Sequence, residues 1–212
     1  MQNVAEHRGR GRPKLVEEND RRNIIVAAAH QVFVEYGFAA ATTERVAARA
    51  KVSKRGIYEL FANKQELFAA VIREHRHLML DLPRPEEEDI PLVDVLGKIF
   101  RLEIDEEGER EREAILNLIV RESAQFPELS DYLYDHGILR SREDLMEWLA
   151  VQARKGLVVI EDEAVCAGML MDIAFGALLP RRRLKTAPDR AARRMHIRKR
   201  FEIFLRGVSP IL

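Results

Sequence analysis

Cysteine is all but missing from this chain of 212 residues: Cys166 stands alone, so no intrachain disulfide can form. A lone thiol points to a reducing compartment, the cytoplasm. No apolar run approaches the roughly 20 residues a helix needs to span a bilayer, which argues against a membrane protein. The basic N-terminus has no apolar stretch behind it, so it does not read as a secretory signal. Also absent are a glycine-rich phosphate loop and a spaced Ser/His/Asp set. His75 and His77 are two apart and would point in different directions on a helix, which disfavours a metal site. These absences argue against an enzyme and leave no catalytic residue, metal or cofactor to name. Net charge is lacking too, because 35 Lys and Arg balance 35 Asp and Glu.

That balance hides a strong asymmetry. Residues 1–80 carry 14 cations against 9 anions, residues 81–135 carry 6 against 17, and residues 136–212 carry 15 against 9. The local nets are +5, −11 and +6, so only the first part of the chain is expected to seek a polyanion. Hydrophobic residues make up 47%, enough for a core, which argues against general disorder.

What is present organises around residues 42–68, TTERVAARAKVSKRGIYELFANKQELF. Thr42 can cap a short helix whose Val46, Ala47 and Ala50 face inward. The chain turns through Lys51 and Val52, and Ser53 can cap a second helix. Ile57, Leu60 and Phe61 share one face of it, leaving Lys54, Arg55 and Tyr58 outward. Asn63 opens a longer helix, with Glu66 three residues on as in a capping box; this helix is expected to reach about Leu80. Two short helices at a steep angle, the second with a cationic outer face, make a helix-turn-helix that can enter a DNA major groove. Arg55 can donate two bonds to guanine O6 and N7, and Lys54 can serve a base or a phosphate. Gly56 permits close approach to the groove wall, or close packing between helices. Lys64 adds its charge to the free N–H groups of a helix start, a ready phosphate site. Tyr58 reads either as a core-edge residue or as a phosphate donor.

Upstream, a helix is predicted from Asp20, its cap, to Tyr36, with Ile24, Ala27, Ala28, Val32 and Phe33 inward. Gly37 stops it and Phe38 tucks into the core. Residues 1–20 read as a flexible basic arm. Within it Arg8, Arg10, Arg12 and Lys14 surround Gly11-Arg12-Pro13, which resembles an AT-hook. Such an arm can lie in the minor groove of A·T-rich DNA, or touch phosphates without reading sequence.

The order of parts is a helix, Tyr36-Gly37-Phe38, Thr42-Thr43, a short helix, Val52-Ser53-Lys54, Gly56-Ile57-Tyr58, Phe61, Asn63-Lys64 and Leu67-Phe68. Over residues 21–70 it resembles the DNA-binding domain of the TetR family of bacterial transcription regulators. The resemblance implies a homodimer that binds a palindromic operator in double-stranded DNA and usually represses. It implies phosphate contacts at Thr43, Tyr58 and Lys64, and base-edge positions at Lys54, Arg55 and Gly56. With Thr42 and Ser53 these complete the expected interface. Lys51 departs from the pattern, since many members carry glycine there; a left-handed lysine costs about 1 kcal/mol.

The expected fold class is all-α. Residues 21–68 form a three-helix helix-turn-helix domain, and residues 69–212 a helical ligand-binding and dimerisation domain. Pro83–Asp89 reads as an acidic loop between them. The alternating acids and arginines after Glu107 read as a solvated helix start. Residues 163–179 form a helix apolar almost all round, so it must be buried on more than one side. Paired with the last helix, it suggests a dimerisation bundle or the central helix of a monomer. The expected interface comprises Ala164, Ala167, Gly168, Phe175 and Leu178, with Phe201, Phe204 and Leu205. The segments RESAQFPELSDYLYDHG and RKGLVVIEDE also resemble the AefR-like branch of the family. In that family a small-molecule effector usually occupies the C-terminal domain. Candidate walls are Phe100, Ile104, Leu116 and Ile119, with Met146, Trp148 and Met171, all of which also suit plain core. The acidic middle mildly disfavours an anionic effector. Other readings are an activator, an architectural A·T-rich-DNA binder, or an enzyme without a recognisable motif.

Overall fold

The computed structural model describes residues 14–85, 87–176 and 189–210, with side chains from Glu18 onward. All of its regular elements are helical, and no strand occurs among the described residues. The chain divides into two compact units, residues 1–71 and 72–212.

The first unit holds α1 (Lys14–Ala40), α2 (Thr43–Ala50), α3 (Lys54–Tyr58) and the start of α4 (Lys64–Glu74). Its helices begin where the caps are. Thr42 accepts from the Arg45 N–H at 3.3 Å and Ser53 from the Gly56 N–H at 3.0 Å. Asn63 accepts from the Glu66 N–H at 2.8 Å, and the Glu66 carboxylate reaches back to the Ala62 N–H at 2.7 Å. The box therefore closes one residue earlier than the usual reciprocal pair. Gly37 breaks α1 with φ 73 and ψ 171, a conformation that glycine alone adopts without strain. The core is aromatic: Phe33 meets Phe68 edge-on at 5.0 Å, and Phe38 meets Phe68 at 5.4 Å. Burying rings of this size makes truncation of Phe33 or Phe68 to alanine cost about 3–5 kcal/mol.

Two expectations for α1 need correction. Residues 14–20 are already helical, so Asp20 lies inside α1 and does not cap it. The inward stripe is Ile25, Val26, Ala28, Ala29, Val32 and Phe33, whereas Ile24 is 53% exposed.

The second unit holds a 3₁₀ turn (Arg76–Leu78), α5 (Leu92–Ile99), α6 (Glu106–Gln125) and α7 (Pro127–Asp135). It continues through α8 (Ser141–Arg154), α9 (Glu163–Phe175) and α10 (Arg190–Gly207). α4 ends at Glu74 rather than near Leu80, because His75 leaves helical geometry at φ −94, ψ 2. One core joins α5, α8, α9 and α10 through Leu96, Ile99, Leu149, Leu170, Ile197 and Phe201, all nearly or fully inaccessible to solvent. Phe100 lies 5.2 Å from Phe201 and 5.7 Å from Phe175. The backbone N–H of Val159 donates to Val208 at 2.7 Å, tying the segment after α8 to the end of α10.

The charged start of α6 is not simply solvated. Glu109 bonds Arg190 at 2.5 Å and also pairs with Arg193, which reaches Glu113 at 3.3 Å. Partners some 80 residues away recruit these acids, which a local pattern cannot reveal. The acidic loop is likewise clamped: Arg84 holds Asp81 at 2.6 Å and Glu88 at 2.5 Å, and Lys98 holds Glu88 at 2.8 Å.

Candidate nucleic-acid interface

The caps of α2 and α3 bring a set of polar groups to one surface of the first unit. A concavity of about 520 Å³ is lined by Thr42, Thr43, Glu44, Lys54, Tyr58 and Lys64, among others. The Thr43 and Tyr58 hydroxyls lie 3.3 Å apart, close enough for one anionic oxygen to meet both. Tyr58 is 48% exposed, so the core-edge reading gives way to a surface one. Arg55 projects into solvent, with its side chain 89% exposed. Its Nε donates to Glu59 at 3.2 Å, and the Nη groups that form the bidentate fork have no partner among the described residues.

The remaining cations are engaged. Lys54 pairs with Glu44 across the α2–α3 corner. This hydrogen bond, first among its causes, lowers the Glu44 carboxyl from 4.5 to about 2, and it raises the Lys54 ammonium. Lys64 donates to the carbonyls of Phe38 at 2.8 Å and Ala39 at 3.3 Å, with its ammonium 4.4 Å from the Phe38 ring centre. It therefore pins the corner that follows Gly37, besides standing at the start of α4. Neither pairing follows from the local sequence pattern; an acid at the second residue of α2, ten before Lys54, is the signal for the first.

Gly56 departs from its expected place at the base edges. It is buried, and a Cβ there would sit 3.3 Å from Ser53 Oγ, so the glycine serves the cap and the packing of α3. Lys51 is left-handed at φ 55, ψ 40, and its N–H and that of Val52 bond the carbonyls of Ala48 and Ala47. That is a Schellman ending with lysine where glycine is unstrained. Arg8, Arg10, Arg12 and the Lys14 side chain lie outside the described residues.

The geometry is that of a helix-turn-helix, and comparison with known proteins places it. The model of bacterial regulatory proteins of the TetR family matches residues 25–71. The model of the AefR-like transcriptional repressor C-terminal domain matches residues 104–207. The chain belongs to the TetR family. It is a DNA-binding transcriptional regulator. It is 26% identical over 187 residues to the uncharacterized HTH-type transcriptional regulator YvkB of Bacillus subtilis (strain 168), covering 87% of this chain and 95% of that one. It is 38% identical over 82 residues to the HTH-type transcriptional activator FasR of Mycolicibacterium smegmatis, 35% of this chain and 37% of that one. The solved structure of the flavonoid-responsive regulator FrrA superposes with a TM-score of 0.67 at 25% identity, covering 92% of this chain and all of the other. No helix among the described residues of this regulator is long and apolar enough to cross a membrane.

The C-terminal residues do not gather as expected. Phe100 lines a small inner cavity of about 20 Å³, Ile104 a larger one of about 800 Å³, and Trp148 a third of about 480 Å³. Met146 and Met171 pack against the core, while Leu116 and Ile119 are half-buried on α6. In the expected interface, Ala167, Phe201 and Phe204 are buried within their own chain, at 0%, 0% and 6% exposure. Ala164, Gly168, Phe175 and Leu205 are half-buried, and Leu178 lies outside the described residues. The large apolar side chains that α9 and α10 leave exposed are Val165, Met169, Met195 and Ile203. A helix apolar all round carries no phase, so sequence could not separate its inner face from its outer one.

Proposed function

We propose that this regulator is a cytoplasmic, dimeric repressor that binds a palindromic operator and is released by a small-molecule effector. One observation carries the reading: a capped recognition helix presents Arg55 almost fully to solvent, between Lys54 and Tyr58. Arg55 reads a guanine in the major groove, Thr43 and Tyr58 hold phosphates, and Arg8, Arg10, Arg12 and Lys14 meet the adjacent minor groove. Repression is supported by the AefR-like repressor description of the C-terminal match. A second copy covers Val165 and Met169 on α9 with Ile203 on α10, each 48–59% exposed in one chain. Dimer half-sites lie about 34–36 Å apart, so an effector acts by changing the separation of the two α3 helices.

Sedimentation equilibrium of the free protein, and of its complex with a site selected from random DNA, tests the reading. Two chains in each state, with dissociation on adding a ligand found by thermal-shift screening, is the expected result. One chain per site would overturn it.

A further inference from the structure

Two cavities in the C-terminal unit share a wall. The outer one, of about 800 Å³, lies between α5, the loop after it and α10, and includes Leu102, Ile104, Met195, Arg101 and Arg194. The inner one, of about 20 Å³, is floored by Phe100, Phe175 and Ile197 and reached by Arg112. Leu102 and Arg194 belong to both. The inner space alone holds little more than a water molecule, so a ligand's bulk would fill the outer cavity.

The charge at this junction does not balance. Arg190 and Arg193 hold Glu109, Arg193 also holds Glu113, and Arg194 holds Glu103 at 2.8 Å. Asp94 and Asp81, which also line the outer cavity, are taken by Arg198 and Arg84. Arg101 and Arg112 remain, and neither makes an ion pair with a described residue. Both have a buried Nε with no hydrogen-bond partner. Arg112 is only 7% exposed, and its one bond is from Nη1 to the Phe100 carbonyl at 3.1 Å. Burial lowers its pKa, and the positive charges of Arg193 and Arg101 add to that against Glu109 and Glu113. Arg101 is held at φ 49, in the left-handed position after α5 where glycine is unstrained. Strained backbone and unpaired buried donors are features that gather at ligand sites.

We propose that the effector is an organic acid, a carboxylate on an apolar body, bound at the junction of these two cavities. The inference rests on the effector reading above and supplies the chemical class. The carboxylate compensates Arg101 and Arg112, whose planar forks suit it. The apolar body lies against Leu102, Ile104 and Met195. The surrounding segment is acidic as a whole, but its acids here are already held by Arg84, Arg190, Arg193, Arg194 and Arg198.

Isothermal titration calorimetry of the full chain with octanoate and benzoate, beside octanol, benzyl alcohol and inorganic phosphate, tests the proposal. At least one carboxylate should bind about tenfold to a hundredfold tighter than its alcohol and than phosphate. Arg112→Met should abolish that preference, and Arg101→Met, at the cavity rim, should do so even if the first variant fails to fold. Neither carboxylate exceeding its alcohol, phosphate matching them, or a preference that survives Arg101→Met would overturn it. An operator-release assay keeps the two claims apart. A carboxylate that binds without releasing DNA removes the effector reading and keeps the site. Release by uncharged ligands alone overturns the site and keeps the reading.

Discussion

Replacing Glu44 by glutamine should strengthen DNA binding. In the free protein the Glu44 carboxylate holds the Lys54 ammonium, with the two side chains 61% and 50% exposed. A phosphate approaching Lys54 has to displace that carboxylate, or share the ammonium with it, and meets a like charge either way. Glutamine keeps the side chain's length in the first turn of α2 and removes the charge. The pair is screened by solvent, so its effect is best read from salt dependence. One further phosphate neutralised steepens the log–log slope by about 0.9. Between about 50 and about 200 mM salt, the variant's advantage should then shrink about 3.5-fold. Fluorescence anisotropy with a selected operator across that range measures both slope and affinity. An unchanged slope and affinity would refute the competition. Weaker binding to the operator but not to random DNA would instead assign Glu44 to a cytosine N4 amino group. Acid gives a second check. A lowered carboxyl stabilises the fold above its ordinary pKa and loses that contribution as pH falls through the folded value. The Glu44–Lys54 pair should therefore stay intact near neutrality and be lost only as pH falls from 4.5 to about 2.

Four other perturbations probe separate parts of the account. Arg55→Ala should cost about 1–3 kcal/mol on the operator and much less on random DNA; equal losses would contradict base readout. Lys51→Gly relieves a left-handed lysine worth about 1–2 kcal/mol but loosens the unfolded chain by about 0.4–1 kcal/mol. Urea unfolding should therefore show a net gain of about 0 to 1.6 kcal/mol, and a loss would contradict the strain. Met169→Glu should yield monomers in sedimentation with the melting temperature of a single chain preserved, because the side chain is 48% exposed. A dimer that survives would place the interface elsewhere. Deleting residues 1–14 removes four Arg and Lys and should flatten the salt slope by about 3–4; an unmoved slope would take the arm off the DNA.

Short-range chemistry was the most legible part of this sequence. Thr42, Ser53 and Asn63 cap the helices that follow them because a cap needs only neighbours three residues on. Gly37 announced its break for the same reason. Phase was harder: Ile24 and Ile25 are adjacent and equally apolar, and only tertiary packing buries the second. Long-range pairing was invisible. Lys64 reads as a free cation until Phe38 and Ala39 fold back 25 residues to meet it. The same holds for Glu109, which two arginines of α10 remove from solvent, and for Arg112, left buried beside them. In α9 the apolar residues outnumber those needed for one face, so intrachain core and outer surface shared a single pattern.

Hydroxyl-radical footprinting on a site selected from random DNA tests the central claim most directly. Two protected patches of equal strength, related by a twofold axis and about one helical turn apart, are expected, both fading together in Arg55→Ala. A single patch, or protection spread along any A·T-rich stretch without a repeat, would contradict a dimer reading a palindrome.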